Sequence, residues 1–413
     1  MKEPTMNSMF RSESFHQKKE TEYLDEVILR VLHEPDVTLL ADALLSGASQ
    51  SEPLFLEALQ TPQDPRYHAE GSFMHAHVRT MLCVLYGMQK EKLHLIDIEE
   101  LRRLKGYEGE IEKLEETIKE NIGLFEVFAL MHDAAKWACI EFTAPVGSLG
   151  EKLGFNAPFT YEFDVDAKKR VELRQAYLEL FHEFSLAHRN ETSSEVQKRF
   201  YEVYRINIHY PHHAEAIYTP VYSAMLDRFC AAHRLSPRDR NILEDLIGHH
   251  MFFNGDFANV RKNVIKRYVH LAQKRGYDAE LFLDLLQGCL FFDMVCGSCT
   301  FNDDGCVHDA TSLIHCLKSE HDFAPKRRAE KEALREIEAI RMRNRAFQQS
   351  GLDGIALMEF LEMKPGVEFG NILRQIQLAI LEEREMPPMS SKQKKEIEKR
   401  VGRYYQILFN PDV

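Results

Sequence analysis

The motif VFALMHDAAKW places a histidine and an aspartate side by side at the end of an apolar run. His132 and Asp133 follow an apolar stripe that includes Phe128 and Ala129, and Lys136 stands three residues after the aspartate. The stripe predicts a buried helix with both polar side chains at its inner end. A buried carboxylate needs a cation or a dense shell of hydrogen bonds. A bound metal ion would meet this need, and Asp133 and Lys136 are the predicted catalytic residues.

Further candidate metal ligands also lie at or near the ends of apolar helical segments, so all of them could face one locus. They are His77 in GSFMHAHVRTMLCVLY, His212 in IHYPHHAEAI, His249 and His250 in NILEDLIGHHM, and Asp293 in LLQGCLFFDM. One histidine of the 249–250 pair would face a metal or a phosphate while the other supports it. Imidazoles with carboxylates suit manganese, iron, nickel, cobalt or zinc and, less well, magnesium. With His132 and Asp133 the set predicts one divalent ion, or two that share Asp133.

These residue types fit the hydrolysis of phosphoesters. A metal ion lowers the pKa of bound water to about 7 and neutralises charge that develops on phosphoryl oxygens. Lys136 follows His132 by one helical turn and would hold a phosphate oxygen as a point charge. The alternative for Lys136 is an ion pair with a nearby carboxylate.

The order of these ligands and the words around them resemble the HD superfamily of metal-dependent phosphohydrolases. HAEGSFMHAH resembles that family's HPEG…H opening, HDAAK its HDxGK, YPHH its YGHE and LIGHHM its VRHHM. The resemblance extends in particular to the C-terminal half of bacterial tRNA nucleotidyltransferases, the CCA-adding enzymes. There DLLQGCLFFD is similar to DLLxLxxAD, and GIALMEFLEMKPGVEFGNILRQIQLAILE is similar to LMxxLGLKPGPEIGxLLRxLxxAxLxG.

Two ligand positions stay open at this point. His75 lies two residues before His77, and the local spacing departs by one from the family's opening, although the helical phase favours His77. His212 occupies the position of the histidine in YGHE, and His213 takes the place of the glutamate.

The resemblance implies metal-assisted hydrolysis of nucleotides or RNA ends, with 2′,3′-cyclic phosphates among them. A second interpretation keeps the site but makes the protein a nucleotidase or a cyclic mononucleotide or dinucleotide phosphodiesterase. A third is an RNA-binding module that keeps the fold without the chemistry. The family's nucleotide-adding head has a Gly-Gly turn before a DxD pair. Asp164 and Asp166 have the letters of that pair without the turn, so we expect no CCA addition.

Almost every segment has helical periodicity, which predicts an all-α protein. By the resemblance, it would have an HD-type core, helical insertions and a helical C-terminal extension. We predict an N-terminal helical segment over residues 1–66, a phosphohydrolase domain over 67–300 and the extension over 301–413. Of two insertions, 97–121 should be a solvated helix. The other, 141–204, is either a lid or specificity element over the site or plain decoration.

A basic amphipathic segment, DFANVRKNVIKRYVHLAQKRGY, follows the His-His pair. Its positive side chains could form a phosphate-binding patch near the metal, with a solvated face as the alternative. The candidates are Arg261, Lys262, Lys266 and Arg267.

The cysteines indicate a reducing compartment. The chain has eight of them and no apolar signal segment near its start, so we expect a cytoplasmic protein with free thiols. Cys296, Cys299 and Cys306, with nearby histidines, have the ligand types of structural zinc. A single CxxC favours core or loop thiols instead.

Composition limits the choice of partners. The formal net charge of −13 argues against a wide nucleic-acid surface but not a local one, so we expect a nucleotide or RNA-end substrate and no DNA. No apolar stretch approaches the roughly 18 to 20 residues that span a bilayer. The sequence leaves the oligomeric state open.

Overall fold

The computed structural model describes residues 25–64, 66–68, 70–156, 167–259, 263–295, 299–302, 305–308, 310–349, 354–382, 391–392 and 395. The chain divides into two compact units, the first ending at His321 and the second beginning at Asp322. This division lies within a helix, about twenty residues beyond the boundary at residue 300 that the sequence motifs indicate.

Most of the helices begin in the first unit. In chain order they are α1 (Glu26–Val31), α2 (Pro35–Ser51), α3 (Pro53–Ala58), α4 (Met74–Gln89), α5 (Glu99–Arg102), α6 (Glu108–Glu120), α7 (Ile122–Met131), α8 (Lys136–Cys139), α9 (Leu149–Lys152), α10 (Ala167–Ala187), α11 (Ser193–Tyr204), α12 (Pro220–Ala232), α13 (Pro237–Ala258), α14 (Val264–Arg275), α15 (Ala279–Val295) and α16 (Thr311–Gln349). Single 3-10 turns lie at Leu95–Asp97 and Glu215–Tyr218. In the second unit α16 is followed by α17 (Gly354–Leu361) and α18 (Val367–Glu382).

Helix α7 lies at the centre of the first unit because it is apolar on nearly every side. Phe125, Val127 and Phe128 are fully buried, which is typical of a helix enclosed by other helices. Helices α4, α12, α13 and α15 contact it. Gly288 allows α15 to approach closely, because a Cβ at that position would lie 2.3 Å from the ring of Phe125.

Glu126 is the polar residue of α7 and joins three helices. Its carboxylate accepts hydrogen bonds from the Tyr86 hydroxyl of α4 at 2.6 Å and from Nδ1 of His233, just after α12, at 2.8 Å. Burial opposes ionisation, but the two hydrogen bonds outweigh it and lower the pKa of Glu126. The ionised carboxylate therefore stabilises the packing of α4, α7 and α12.

The 97–121 insertion is more buried than the sequence predicts. Ile111, Leu114 and Ile118 of α6 are buried, and α6 contacts α4 and α15. Several of its charged side chains form ion pairs, among them Lys113 with Asp284 of α15 at 2.6 Å and Lys119 with Glu115 at 2.8 Å. Since apolar residues recur every three or four positions in α6, the high charge of the segment concealed an ordinary amphipathic helix.

The 141–204 insertion has an apolar core of its own. Strand β1 (Glu141–Thr143) pairs antiparallel with β2 (Asn207–His209), so that Phe142 stands opposite Ile208. Helices α10 and α11 pack together beside this pair. The rings they enclose are buried and in contact with one another: Phe142, Phe155, Tyr177, Phe181 and Phe200.

A second two-stranded sheet, the hairpin of β3 (Cys299–Asn302) and β4 (Gly305–His308), follows α15 in the sequence. The sequence showed no strand pattern, because strands of three or four residues are too short to reveal alternation. With helices as the main elements, the prediction of an all-α fold is confirmed. None of the helices within the described ranges is both long enough and apolar enough to cross a membrane.

Candidate metal centre

Helix α7 ends where the His-Asp pair begins. The His132 amide donates to the Phe128 carbonyl at 2.9 Å as the last helical bond, and the Lys136 amide donates to the Asp133 carbonyl at 2.9 Å to close a turn. The His132 side chain has no exposed area and that of Asp133 has 1%. The turn therefore presents an imidazole and a carboxylate to the interior.

One group of candidate ligands forms on the side of α4. Nε2 of His77 lies 3.3 Å from Nε2 of His132. Asp293, near the end of α15, completes the group, since the ligand atoms of these three residues lie within 4.8 Å of one another. Three helices that are far apart in sequence thus bring two imidazoles and a carboxylate together.

A second group forms on the opposite side of the aspartate. Nε2 of His213 lies 3.2 Å from Nε2 of His250 on α13. Oδ1 of Asp133 is 3.3 Å from the His213 nitrogen and 3.8 Å from the His250 nitrogen. Oδ2 of Asp133 is 3.3 Å from Nε2 of His132. One carboxylate therefore has one oxygen toward each group.

Three of the imidazoles are held by backbone carbonyls. Nδ1–H of His132 donates to Phe128 at 3.2 Å, that of His213 to Tyr210 at 2.7 Å, and that of His250 to Ile247 at 2.7 Å. A carbonyl only accepts, so Nδ1 carries the hydrogen in each ring and a neutral ring has its lone pair on Nε2. Bonds of this kind orient metal-binding histidines in proteins.

The facing Nε2 atoms require a positive species between them. At 3.2–3.3 Å two nitrogen lone pairs repel unless a proton or a metal ion lies between them. With metal–nitrogen bonds of about 2.0–2.1 Å, two ligands of one tetrahedral ion lie about 3.3 Å apart. The spacing of both histidine pairs therefore fits ligation of an ion.

Burial and charge act on this cluster in opposite directions. Burial lowers the pKa of His77 and that of His250 to about 4, so both rings are neutral at neutral pH. Burial has the same tendency at His132, but the adjacent Asp133 outweighs it and raises the pKa of His132. Burial opposes the ionisation of Asp133, but His132 and Lys136 hold its pKa well below the ordinary value.

The Asp133 carboxylate is charged, buried and poorly satisfied. Neither oxygen receives a hydrogen bond of suitable geometry. Nζ of Lys136 lies 2.6 Å from Oδ2 as an ion pair, although not in line for a hydrogen bond. The same ammonium lies 4.8 Å from the centre of the Tyr210 ring. Orphaned carboxylate oxygens beside four imidazole nitrogens are the donors that a divalent transition metal binds, so the residues fit a metal.

Two of the predicted ligands lie away from both groups. His212 has a left-handed backbone (φ 58°), a side chain 32% exposed, and Nδ1 3.9 Å from Glu215. Its neighbour His213 points inward instead. Nδ1 of His249 lies 2.8 Å from the carbonyl of Asp245 and 3.2 Å from the Tyr218 hydroxyl, whereas His250 joins the cluster.

The other predicted residues are only partly described. Arg261 and Lys262 lie outside the described residues, as do Asp164, Asp166 and Cys296. Arg267 is half-exposed and pairs with Asp256 at 2.7 Å, and Lys266 is exposed. Cys299 and Cys306 lie opposite His308 and Phe301 in the β3–β4 hairpin, with no side-chain arrangement described. The structure thus leaves the basic patch and the zinc alternative as predictions.

Sequence reasoning missed two residues of the site, His68 and Glu70, although both lie in the HAEG motif. His68 and Glu70 form a further group with His77. His75, the alternative to His77, is in none of the possible metal groups among the described residues. The remaining such group, Glu91, His94 and Glu115, includes no site residue and already binds the ammonium of Lys119 through both glutamates.

Comparison with known proteins adds no relative. No protein-family model, curated protein or solved structure matches the chain.

Proposed function

We propose that the protein is a metal-dependent phosphohydrolase of the HD type that acts on nucleotides or RNA ends. The observation that carries this proposal is the pairing of imidazole nitrogens on each side of one buried carboxylate. His77 faces His132 at 3.3 Å, and His213 faces His250 at 3.2 Å. Asp133 directs one oxygen to each pair.

The ligand set divides between two adjacent positions. His77, His132 and Asp293 would hold one ion, His213 and His250 a second, and Asp133 would serve both. A divalent ion supplies a Lewis acid for phosphoryl oxygens and an activated water at neutral pH. Manganese, nickel, cobalt and iron suit this set, and magnesium suits it less well because nitrogen donors predominate.

The protein's own residues contribute orientation and charge. The backbone carbonyls behind His132, His213 and His250 fix the tautomer and direction of each ring. Lys136 holds a positive charge beside Asp133 in a side chain that is 8% exposed. Because the whole chain has a net charge of −13, a phosphate needs local positive charge in order to bind, from the metal ions and from Lys136. Lys136 would bind a phosphoryl oxygen as a point charge.

The substrate class rests on the motif resemblance. We expect phosphoesters of nucleotides or RNA ends, with 2′,3′-cyclic phosphates first among them. The test is phosphate release with manganese or nickel from a panel of 2′,3′-cyclic AMP, mononucleotides, a cyclic dinucleotide and a short RNA with a cyclic-phosphate end. A preference for free nucleotides would identify a nucleotidase or cyclic-nucleotide phosphodiesterase.

Asp133→Asn provides the decisive variant because the amide keeps the shape and loses the charge. We expect it to abolish both metal uptake and phosphate release. Asp256→Asn is a matched control, since Asp256 is also a buried aspartate, bonded to Arg267 and Tyr268 rather than to histidines. Hydrolysis that persists in Asp133→Asn would refute the site. RNA binding without metal uptake or turnover would support the noncatalytic module instead.

A further inference from the structure

His77 differs from the other inward histidines in what lies behind its ring. Its Nδ1 faces a carboxylate, with Oε1 of Glu70 at 3.0 Å, instead of a backbone carbonyl. Both side chains are completely buried. The ring nitrogen and the oxygen are close without forming a well-aligned hydrogen bond, so the contact is an electrostatic one that sets which nitrogen of His77 carries the hydrogen.

Oε1 of Glu70 is also held from other directions. Nδ1 of His68 lies 2.8 Å from it, and Nε2 of Gln63 donates to it at 3.0 Å. The Gln63 amide can only donate through this nitrogen, so Oε1 stays an acceptor whether the carboxyl group is ionised or protonated. The hydrogen of His77 is thereby kept on Nδ1, and its Nε2 is left to face His132.

The loop that carries Glu70 is fastened by the insertion and the strand that follows it. Nε2 of Gln197 on α11 donates to the Gln63 carbonyl at 3.2 Å. The Ile208 amide of β2 donates to Oδ2 of Asp64 at 3.0 Å. The Tyr210 hydroxyl donates to the Pro62 carbonyl.

Two further contacts lie where this loop joins α4. The ring of Phe73 packs edge-on against Phe181 of α10, with ring centres 5.8 Å apart. Gly71 is required beside Glu70, because a Cβ there would lie 2.5 Å from Cβ of Ala76. These contacts therefore hold the residues on both sides of Glu70, at Pro62–Asp64 and at Phe73.

We propose that Glu70 is the positioning residue of His77 and that the 141–204 insertion holds the loop that carries it. This inference rests on the proposed metal centre and gives the insertion a role in building that centre. Glu70 acts through His77, in the way that carboxylates behind metal-binding histidines orient the ring and raise its basicity.

The experiment measures cobalt binding by the full-length protein, freed of metal by chelation, through the visible absorption of bound Co²⁺ and metal analysis. Glu70→Met keeps the approximate shape and removes the acceptor, and we expect the dissociation constant to rise about 10- to 100-fold. Glu70→Gln keeps an acceptor oxygen at the same reach, so we expect it to retain affinity within a few-fold. If Glu70 had a role in packing alone, the Met and Gln variants would bind cobalt with equal affinity, and that result would overturn the inference.

Glu70→Asp covers the case in which the Met variant does not fold. Aspartate keeps the charge but withdraws the oxygen by one methylene, so it should bind cobalt more weakly than Glu70→Gln does. If the Asp variant bound cobalt more tightly than the Gln variant, the charge of residue 70 would matter rather than the position of its oxygen, which contradicts the proposal. Glu110→Gln and Glu110→Met are matched controls, since Glu110 accepts from His321 at 2.6 Å outside the site, and neither should change cobalt binding by the centre.

The insertion is tested by Gln197→Met, which removes the donor to the loop. We expect cobalt binding to weaken several-fold, compared with no change for Gln175→Met, whose side-chain amide donates to exposed Glu179 on the same insertion. Equal affinities of the two variants would refute the role of the insertion. If the wild-type protein takes up no cobalt, the proposed function fails as well. If the wild-type protein binds cobalt and the Glu70 variants bind it equally well, the positioning role alone fails.

Discussion

The choice between two adjacent histidines provides the sharpest test of the site. His213 directs Nε2 at Asp133 and His250, while the neighbouring His212 is partly exposed and points elsewhere. We therefore expect His213→Asn to lose stabilisation by metal and His212→Asn to keep it. Asparagine is the replacement at both positions, so that the two variants match, and it tolerates the left-handed backbone at residue 212.

The expected magnitude follows from binding linkage. At a free metal concentration of about 100 times the dissociation constant, one occupied site stabilises the folded protein by about 2.7 kcal/mol. Mutating a residue that is hydrogen-bonded to a metal ligand weakens metal binding by up to about 100-fold. Loss of the ligand itself should therefore raise the dissociation constant at least about 100-fold. The same metal concentration then contributes only about 0.4 kcal/mol. At about 2 °C per kcal/mol for a large domain, His213→Asn should forfeit about 5 °C of the metal-induced rise in Tm.

The assay is scanning calorimetry of each protein with and without manganese or cobalt, reversed by chelator. The rise in Tm is compared within each variant, so effects of the substitution on the metal-free protein cancel. A full rise in His213→Asn, or a lost rise in His212→Asn, would refute the assignment of the second ligand group.

Three further outcomes can be checked separately. Lys136→Met should retain metal uptake yet reduce kcat/KM about 100-fold, because it removes the positive charge beside Asp133 that we propose binds a phosphoryl oxygen; equal losses of metal and activity would contradict that role. Glu126 has a lowered pKa, so its contribution to stability is present above the unfolded pKa of about 4.3 and is lost as pH falls below it. The difference in urea unfolding between wild type and Glu126→Gln should therefore shrink between about pH 6 and pH 3, and a constant difference would disprove the linkage. Gly288→Ala should destabilise the protein by about 1–3 kcal/mol through overpacking against Phe125, whereas Gly255→Ala, with open space at its Cβ, should not.

The sequence by itself determined the fold class and the inner end of helix α7. Helical periodicity is local, so a mostly apolar run followed by His132 and Asp133 predicts a core helix with polar residues at its end. The structure places both in the interior. The motifs around His77, His250 and Asp293 likewise marked residues that the structure brings together.

Only the tertiary structure decided which neighbours face inward and which loop residues join them. His212 has a left-handed backbone in a turn where His213 points inward, and no periodicity specifies such a conformation. Glu70 and His68 follow Gln63 and Asp64, which bond to residues more than a hundred positions away, Gln197 and Ile208. Contacts of such long separation depend on how helices and loops pack, and a pattern read along the chain contains no record of them.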